Sequence, residues 1–308
     1  MNGALTGILL LDKPLGLSSN AALQRVRRLA GGIKAGHAGS LDPLASGMLP
    51  ICLGEATRVA GEMLGLRKCY QFGIQLGERS ETGDAEGEIV ERCPVPALTR
   101  EAVEAVLARF HGPQQQVPPM YSALKRGGEP LYRLARRGLT VERAPRALVI
   151  DSLQLTMLQH DRLELRVLCS KGTYVRVLAE DLARALGSCG RLYSLRREYV
   201  EPFAGEGMAS LEQLEAAADP ARNWPLLPAD RALTHLGVLQ LAPEALGAMV
   251  HGQPVHGLAS GAALWRLYDG AQRFLGLGES DAAGTLRVRR LFSSARMAAA
   301  PASQEQSR

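Results

Sequence analysis

The spacing of hydrophobic positions along the chain predicts a mixture of strands and helices. Residues 7–11 form an unbroken apolar run, which predicts a buried strand. Residues 70–76 alternate between apolar and polar positions, as a half-buried strand does. Residues 147–156 and 163–169 predict the two strands of a hairpin, and residues 191–200 predict a further strand.

Three segments predict helices. Residues 18–20 are N-cap types, and the segment after them predicts a helix that runs to about residue 30. Residues 99–110 have an amphipathic helical pattern with Thr99 as the cap, and residues 175–186 predict a third helix. Residues 35–47 are instead rich in Gly, Ser and Pro without a clean period, so they predict a loop.

A second, smaller unit is predicted after the Trp-Pro-Leu-Leu-Pro stretch at residues 224–228. From residue 236 to residue 292, short apolar segments alternate with glycine turns, which predicts a small β-barrel. Residues 293–308 are rich in Ala, Ser and Gln, and we expect them to form a disordered tail.

The net charge of +5 is only mildly basic for a chain of 308 residues, so by itself it is weak evidence for a nucleic-acid partner. The distribution of the charge is more informative. Residues 121–146 contain seven basic and two acidic side chains, a surplus that equals the net charge of the whole chain. The segment also contains tyrosines among its arginines. Such a run is usually a solvated face, and the alternative is a surface that binds RNA phosphates.

The cysteines and the N-terminus bear on the compartment. The cysteines are odd in number, scattered and without a C-x-x-C pair, so reduced thiols are expected rather than a disulfide framework or a zinc site: Cys52, Cys69, Cys93, Cys169 and Cys189. The N-terminal apolar run ends at Asp12, well short of the roughly 20 residues that span a bilayer. It also lacks the basic start of a signal peptide. We therefore expect a cytoplasmic protein without a membrane segment.

The segment Gly-His-Ala-Gly-Ser-Leu-Asp-Pro-Leu-Ala-Ser-Gly at residues 36–47 contains the most informative polar residue, Asp42. Its glycines let the backbone approach a ligand closely, and Pro43 favours an extended conformation at Asp42. Leu41 and Leu44 can anchor the loop and hold the carboxylate over a cleft. The local pattern leaves a second interpretation open, in which Asp42 only caps a backbone turn.

This segment resembles the catalytic loop of the tRNA pseudouridine-55 synthases, the bacterial B-type family of pseudouridine synthases, in which the aspartate is essential. Further stretches resemble motifs of the same family in the same order: residues 10–20 (LLDKPLGLSSN), 48–57 (MLPICLGEAT), 120–125 (MYSALK), 170–176 (SKGTYVR) and 195–197 (LRR). The resemblance covers about residues 7–292.

The resemblance implies an α+β fold, with a mixed, mainly antiparallel sheet flanked by helices and loops, plus a small PUA-like β-barrel. The catalytic domain is then expected at residues 1–235, with an RNA-binding insertion at about residues 118–146. The PUA-like RNA-binding domain is expected at residues 236–292 and the tail at residues 293–308. The implied activity is isomerisation of uridine 55 in the T-arm loop of tRNA. The partner is tRNA, with no obligate protein partner and a monomeric chain.

Pseudouridine formation breaks the N1–C1′ bond, turns the base and joins C5 to C1′, so no cofactor and no metal are expected. By resemblance Asp42 is the catalytic residue. Attack at C1′, attack on the base and deprotonation of the sugar all remain open for it. The resemblance also implies that Tyr70 stacks on a flipped uracil, that Tyr174 lies at the base as a possible proton-transfer group, and that Arg176 pairs with Asp42. If residues 174–176 are extended, Tyr174 and Arg176 share a face. Taken alone, Tyr70 would be a core residue and Arg176 a solvated charge.

Three more residues are implied to contact or support the target nucleotide. His37 would help to displace or stack it, Lys13 would support the active-site loop, and Leu195 would line the uracil pocket. Each residue also has a plainer alternative. His37 would be a loop histidine bonded to backbone, Lys13 an exposed charge at a strand end, and Leu195 a core leucine.

The basic residues of the insertion are predicted to clamp the T-loop: Lys125, Arg126, Arg133, Arg136 and Arg137. In the C-terminal unit, the best candidates for phosphate contacts are Arg287, Arg289 and Arg290.

Three other functions are considered. A guide-RNA-dependent pseudouridine synthase would act on ribosomal RNA within a ribonucleoprotein. A non-catalytic RNA-binding protein would not need Asp42, Tyr70, Tyr174 and Arg176 together. A nucleotide-sugar enzyme with a phosphate loop at residues 36–47 would require a G-K-[ST] element, which this loop lacks.

Overall fold

The computed structural model describes residues 5–217 and 219–299 of the chain. The strands of this part are β1 Gly7–Lys13, β2 Ala35–His37, β3 Ala45–Leu53, β4 Lys68–Leu76, β5 Glu78–Ser80, β6 Ile89–Arg92, β7 Gly112–Gln116, β8 Lys125–Arg126, β9 Glu129–Pro130, β10 Arg146–Leu158, β11 Arg162–Cys169, β12 Gly190–Val200, β13 Leu226–Leu227, β14 Gly237–Gln240, β15 Ala263–Tyr268, β16 Phe274–Ser280 and β17 Leu286–Leu291.

The α-helices of the same part are α1 Ser19–Leu29, α2 Ala60–Met63, α3 Arg100–Ala108, α4 Leu131–Arg136, α5 Val175–Ala185, α6 Leu211–Ala216, α7 Pro220–Asn223, α8 Pro243–Val250 and α9 Ser293–Ala299. Two short 3-10 helices lie at Gly54–Val59 and Ala229–Leu233. None of the helices in the described ranges has the length and apolar character needed to cross a membrane.

A nine-stranded sheet forms the centre of the molecule, with the strand order β13-β1-β3-β12-β4-β11-β10-β7 and β2 paired to β3. Only the β3–β12 pair is parallel, so the sheet is mixed and mainly antiparallel, as predicted. The register places Arg197 of β12 opposite Gly47 of β3 and opposite Tyr70 of β4. Strands distant in sequence thereby meet in the middle of the sheet.

Helices α3 and α5 cover one face of this sheet. Their amphipathic patterns bury Val103 and Leu107 of α3, and Leu178 and Leu182 of α5, in one apolar cluster with β4 and β11. Burial of such apolar surface is the main favourable term for packing a helix on a sheet. This cluster fixes the first turn of α5, which contributes to the candidate site.

Local signals in the sequence identified several of these elements correctly. The Ser18 hydroxyl accepts a hydrogen bond from the Ala21 amide (3.1 Å) and caps α1, and the Thr99 hydroxyl caps α3 through the Ala102 amide (3.2 Å). The predicted hairpin is confirmed as the antiparallel pair β10–β11. Caps and strand alternation depend on near neighbours, which explains why they could be read from the sequence.

The prediction of a loop over residues 35–47 is wrong at both ends. Ala35–His37 is strand β2, and β3 already begins at Ala45, so the loop is confined to residues 38–44. Strand β2 pairs with the far end of β3, where Gly36 lies opposite Cys52. Its hydrogen bonds come from a partner more than ten residues away, which local composition cannot reveal.

The C-terminal unit contains a four-stranded sheet with the order β14-β15-β16-β17, in which β14 runs parallel to β15. The sequence predicted its strands but not helix α8, although Pro243 at the first turn is a typical helix start. Leu246 and Met249 of α8 are buried against this sheet.

The prediction of disorder from residue 293 onward is also wrong for residues 293–299. They form helix α9, which buries Ala295 in the core of the C-terminal unit. That apolar contact supplies stability that the local composition does not indicate. Residues 300–308 lie outside the described residues.

The expectation that all cysteines are reduced thiols is contradicted by a disulfide between Cys93 and Cys189, whose Cα atoms are 5.6 Å apart. The other three cysteines are free and buried. Gly77 joins the two segments, because its carbonyl accepts from the Cys93 amide (3.0 Å) and its amide donates to the Cys189 carbonyl (2.9 Å). The pair is separated by 96 residues, so only the tertiary fold brings it together.

Candidate active site

The loop at residues 38–44 joins β2 to β3 and presents Asp42 just before β3 begins. Leu41 is buried, and its backbone is held on both sides by Ser19, whose hydroxyl donates to the Leu41 carbonyl (3.0 Å) and accepts from the Leu41 amide (2.7 Å). The Gly16 amide donates to the Pro43 carbonyl (2.8 Å). With both neighbours fixed, the Asp42 side chain remains 45% exposed and accessible to a ligand.

Lys13 lies completely buried beneath this loop. Its ammonium group donates to the carbonyls of Pro14 (2.9 Å), Leu17 (2.6 Å) and Pro43 (3.5 Å). Burial lowers the pKa of Lys13 to about 8, although Asp42 acts in the opposite direction. Lys13 therefore connects the loop to the end of β1, and the alternative of an exposed charge at a strand end is wrong.

Arg176 forms an ion pair with Asp42, with 2.9 Å between Nη2 and Oδ2. Its side chain is 7% exposed, which excludes the alternative of a solvated charge. The guanidinium also donates to the carbonyls of Thr82 (2.9 Å) and Tyr121 (2.7 Å), and its Nε lies 3.6 Å from Oδ2 of buried Asp84. Such a network fixes the guanidinium, which in turn orients the Asp42 carboxylate.

The shared strand face that an extended segment would give Tyr174 and Arg176 is not present. Tyr174 is the N-cap residue of α5, and Arg176 lies in its first turn. The backbone of Tyr174 is bound by the buried side chain of Gln116, which accepts from the Tyr174 amide (2.8 Å) and donates to its carbonyl (3.1 Å). Sequence reasoning missed Gln116, because nothing near residue 116 indicates a contact with residue 174.

A cavity of about 270 Å³ opens beside the Asp42 carboxylate. Its lining brings together five of the residues singled out from the sequence: Asp42, Tyr70, Tyr174, Arg176 and Leu195. Burial raises the pKa of both tyrosines, so their hydroxyls stay protonated near neutral pH. Tyr70 and Leu195 are mostly buried, and they form an apolar wall that suits a planar base.

Arg197 is a second residue that the sequence analysis passed over, although it lies within the Leu-Arg-Arg motif. It is 1% exposed, donates to the carbonyls of Met48 (2.7 Å) and Gly39 (3.0 Å), and lines the cavity. Gly47 makes room for the backbone of Arg197, since a Cβ atom at Gly47 would lie 2.2 Å from the Arg197 carbonyl oxygen. Arg197 thus ties β12 to both ends of the Asp42 loop.

His37 lies on strand β2 and lines a second cavity, of about 590 Å³, on the other side of Asp42. Its Nδ1 is buried and has no hydrogen-bond partner among the described residues, so the alternative of a histidine bonded to backbone of this part of the chain through this atom is wrong. Burial lowers the pKa of His37, which favours the neutral ring. The neutral ring therefore borders the second cavity without adding a charge to it.

Comparison with known proteins identifies the family. Residues 27–175 match the N-terminal domain of TruB family pseudouridylate synthases, and residues 237–292 match the C-terminal domain of pseudouridine synthase II TruB. The tRNA pseudouridine synthase B of Stutzerimonas stutzeri is 48% identical over 294 residues, which cover 94% of this chain and 96% of the relative. The tRNA pseudouridine synthase B of Chromohalobacter salexigens is 48% identical over 299 residues, which cover 95% of this chain and 96% of the relative. This chain belongs to the TruB family.

Solved structures support the TruB fold. A chain in the crystal structure of a Cbf5-Nop10-Gar1 complex superposes with a TM-score of 0.74 at 22% identity, covering 94% of this chain and 85% of that one. A chain in the structure of an H/ACA RNP bound to a substrate RNA containing 2′-deoxyuridine superposes with a TM-score of 0.70 at 21% identity. The superposition covers 94% of this chain and 86% of that one. At these identities the similarity concerns the fold, and it confirms the predicted α+β class.

In this TruB-family chain the basic insertion meets the candidate active site at two points. The Tyr121 carbonyl accepts from Arg176, and Arg136 and Tyr132 line the second cavity with Asp42. The Arg136 guanidinium lies 5.8 Å from the centre of the Tyr132 ring. The insertion therefore borders the site directly.

The other cations predicted for the insertion lie on exposed surface. Arg126 donates to the Glu142 carbonyl (2.5 Å), and Arg137 pairs with Glu129 (2.7 Å). Lys125 and Arg133 are exposed. These side chains do not line the two cavities beside Asp42, so they could contact only RNA that lies outside the pocket.

Two further features of the TruB-family chain bear on ligands. In the C-terminal unit, the predicted phosphate contacts Arg287, Arg289 and Arg290 are exposed, and Arg289 pairs with Glu279 (3.4 Å). Within residues 5–217 and 219–299, no group of three His, Cys, Asp or Glu side chains is arranged to hold a metal ion.

Proposed function

We propose that this TruB-family enzyme isomerises uridine 55 in the T-arm loop of tRNA to pseudouridine, with Asp42 as the catalytic carboxylate. The observation that carries the proposal is the ion pair between accessible Asp42 and buried Arg176 at the mouth of a cavity of base-binding character. The relatives that are nearly half identical over almost the whole chain are named tRNA pseudouridine synthase B, which supports tRNA as the substrate.

The target uridine leaves its stack to reach the carboxylate. Tyr70 and Leu195 hold the flipped base in the cavity, where stacking on an aromatic ring contributes roughly 1–3 kcal/mol. Tyr174 stands at the base as a proton-transfer group, and His37 contacts the displaced nucleotide from the second cavity. Asp42 acts by attack at C1′, by attack on the base or by deprotonation of the sugar, and each of these routes requires it as an anion beside Arg176.

We further propose a division into a catalytic domain at residues 1–235, with the RNA-binding insertion at about residues 118–146, and a PUA-like RNA-binding domain at residues 236–292. The separate apolar cluster of α8, α9 and β15–β17 supports the second unit. The insertion and Arg287, Arg289 and Arg290 contact tRNA phosphates outside the target loop. The enzyme works in the cytoplasm as a monomer, without a cofactor or an obligate protein partner.

The test uses the purified chain alone, with a T-arm stem-loop that carries uridine at position 55 and a control stem-loop with cytidine there. Pseudouridine is mapped after single-turnover incubation, and total tRNA from cells that lack the protein is mapped in parallel. We expect pseudouridine 55 in the first RNA and its loss from the cellular tRNA. A guide-RNA-dependent enzyme would need added RNA or protein, and a non-catalytic RNA-binding protein would bind the stem-loop without converting it.

A further inference from the structure

The cavity beside Asp42 has two buried cations that no carboxylate of the described residues neutralises. Lys68 is 7% exposed and Arg197 1% exposed, and both line the cavity. The Lys68 ammonium group donates to the carbonyls of Leu64 and Leu66. The Arg197 guanidinium donates to the carbonyls of Met48 and Gly39 and forms a side-chain hydrogen bond with Tyr70. No described carboxylate lies within ion-pair distance of either group.

Burial of unpaired charge is costly, because the interior replaces the hydration of an ion poorly. Carbonyl oxygens recover part of that cost. The accessible carboxylate of Asp42 at the cavity is already paired with Arg176. The floor of the cavity therefore keeps a positive potential that the protein does not cancel, and a partly closed site strengthens such a potential. This arrangement suits a ligand that becomes negative inside the cavity.

Lys68 and Lys13 are both buried near Asp42, yet their ammonium groups are bound differently. Lys13 has three carbonyl partners for its three N–H groups and does not line the cavity. Lys68 has two carbonyl partners, at 2.9 Å and 2.6 Å, so one N–H remains for a ligand. Lys68 also lies two residues before Tyr70 on β4, which places both side chains on the same face.

The proposed reaction supplies the matching charge. In the routes in which Asp42 acts on the sugar, the N1–C1′ bond breaks with its electron pair on the base. The uracil then becomes an anion, and the electron-poor C1′ centre lies beside the Asp42 carboxylate. The anion then turns and C5 donates a pair to C1′, which forms the new bond. Loss of the C5 proton and gain of a proton at N1 complete pseudouridine. Atoms and electrons balance without an oxidant or a reductant.

We propose that Lys68 is a further catalytic residue, whose ammonium group stabilises the detached uracil anion over the floor formed by Arg197. This inference rests on the proposed function. Arg197 is a positioning residue, because it holds the carbonyls of Gly39 and Met48 on the two sides of Asp42 in the chain. Removal of one preorganised donor from a developing anion typically slows a reaction by about a hundredfold or more.

Burial lowers the pKa of Lys68 to about 8, with smaller effects of Arg197 and Lys171 in the same direction and of Cys169 in the opposite one. The ammonium form is thus present below pH 8 and is lost as the pH rises through that value. Lys13 titrates in the same range, so the two lysines must be separated by mutation.

The deciding experiment compares uridine with 5-fluorouridine at the target position of the stem-loop. Fluorine withdraws electrons and makes the base a better leaving group, which reduces the need for stabilisation by Lys68. Single-turnover loss of the starting nucleoside is measured for the wild type, Lys68→Met, Lys68→Arg and Lys34→Met, the last a control that removes one exposed charge outside the cavity. We expect Lys68→Met to slow the conversion of uridine about a hundredfold. The slowing of 5-fluorouridine conversion by the same variant should be at least tenfold smaller. Lys68→Arg should restore most of the wild-type rate with uridine, and Lys34→Met should convert both nucleosides at the wild-type rate.

Equal slowing of both nucleosides by Lys68→Met would overturn the proposal and assign Lys68 a structural role. If Lys68→Met does not fold, the pH profile decides between the same outcomes. The wild-type rate with uridine should fall above about pH 8, and Lys68→Arg should abolish that fall. A fall that persists in Lys68→Arg and disappears in Lys13→Arg would also overturn the proposal. Failure of the proposed function is distinct, since the wild type itself would then leave uridine 55 unconverted.

Discussion

At the scale of single residues, the proposed function depends on the accessible carboxylate of Asp42, which lies among buried cations. Arg176 meets Asp42 on one side and Asp84 on the other, while Lys13 holds the loop from below. Asp42 is therefore fixed in direction although nearly half of its side chain faces solvent. A positioned charge of this kind contributes to a transition state much more than to RNA affinity, which comes mostly from phosphates.

We predict that Asp42→Asn abolishes turnover and leaves RNA binding near that of the wild type. Asparagine keeps the size of the side chain but removes its charge and nucleophilicity. Tritium release from C5-labelled tRNA measures turnover, and a filter assay measures binding. Activity above about one hundredth of wild type, a barrier change of only about 2.7 kcal/mol, would contradict the catalytic assignment. Asp161→Asn, an exposed aspartate in the β10–β11 turn, is the matched control.

Gly47 lies where β3 and β12 pack closely, and the substitution Gly47→Ala tests that packing. Its φ of +98° is unfavourable for other residues, and a Cβ atom there would meet the Arg197 carbonyl. Gly187→Ala is the control, since φ is +84° there but no atom lies within 4 Å of the added Cβ. We predict a loss of about 1–2 kcal/mol in the free energy of unfolding for Gly187→Ala, and a clearly larger loss for Gly47→Ala. Urea unfolding measures both, and equal losses would refute the packing argument.

At the scale of elements, the insertion is a small unit of β8, β9 and α4 attached next to the active site. Tyr121 connects it to Arg176 through a backbone carbonyl and to Glu81 through its hydroxyl (3.0 Å). Arg133 and Arg136 of α4 and its C-cap residue Arg137 are exposed, and Arg137 pairs with Glu129 at the surface (2.7 Å), so these charges are accessible to phosphates. An element of this kind can contribute to affinity without entering the chemistry.

We predict that replacement of Arg133, Arg136 and Arg137 together by Gln raises the dissociation constant for tRNA and flattens its salt dependence. Each lost phosphate contact should reduce the slope of log affinity against log salt by roughly 0.7 to 0.9. Turnover at saturating RNA should change much less. The control triple variant replaces Arg92, Arg100 and Arg109, which are exposed and line neither cavity beside Asp42. A salt dependence that overlays that of the wild type would eliminate these arginines as an RNA clamp.

At the scale of the whole molecule, a polar contact joins the catalytic unit to the C-terminal unit. The Glu55 carboxylate accepts from the Ser293 amide (2.9 Å) at the start of α9, and Arg58 donates to the Leu291 carbonyl (2.6 Å). Beneath them Phe292 and Leu277 share an apolar cluster with Leu233 and neighbouring residues of the catalytic unit. The two units are thus held in one arrangement.

We predict that Glu55→Ala speeds amide hydrogen exchange in residues 293–299 and lowers the free energy of unfolding by about 1 kcal/mol, the usual effect of a lost helix cap. Glu55→Gln keeps an acceptor and should have a smaller effect on both. Hydrogen exchange followed by mass spectrometry measures the change. Unchanged exchange in Glu55→Ala would mean that the apolar contact alone holds α9.

The disulfide gives a second prediction at this scale. After equilibration in air without a reductant, the denatured chain should offer three reactive thiols, from Cys52, Cys69 and Cys169, and five after reduction. The denatured Cys189→Ser variant should offer four reactive thiols both before and after reduction. A count of five in the unreduced wild type would refute the Cys93–Cys189 bond.

The sequence by itself determined the features that depend on near neighbours. Helix caps at Ser18 and Thr99, strand alternation around Tyr70 and the glycine-rich loop of Asp42 were readable because their interactions lie within a few residues. The order of several motifs also fixed the family resemblance, which the comparisons confirm.

The tertiary structure alone decided which distant side chains meet. The contact of Gln116 with Tyr174, the place of Arg197 under the Asp42 loop, and the pairing of Cys93 with Cys189 each join segments about 60 to 160 residues apart. The burial of Lys68 with no carboxylate partner in the described part of the chain belongs to the same class. Such contacts arise because β12 inserts between β3 and β4 in the sheet, and that strand order is set by the burial of whole faces rather than by local sequence.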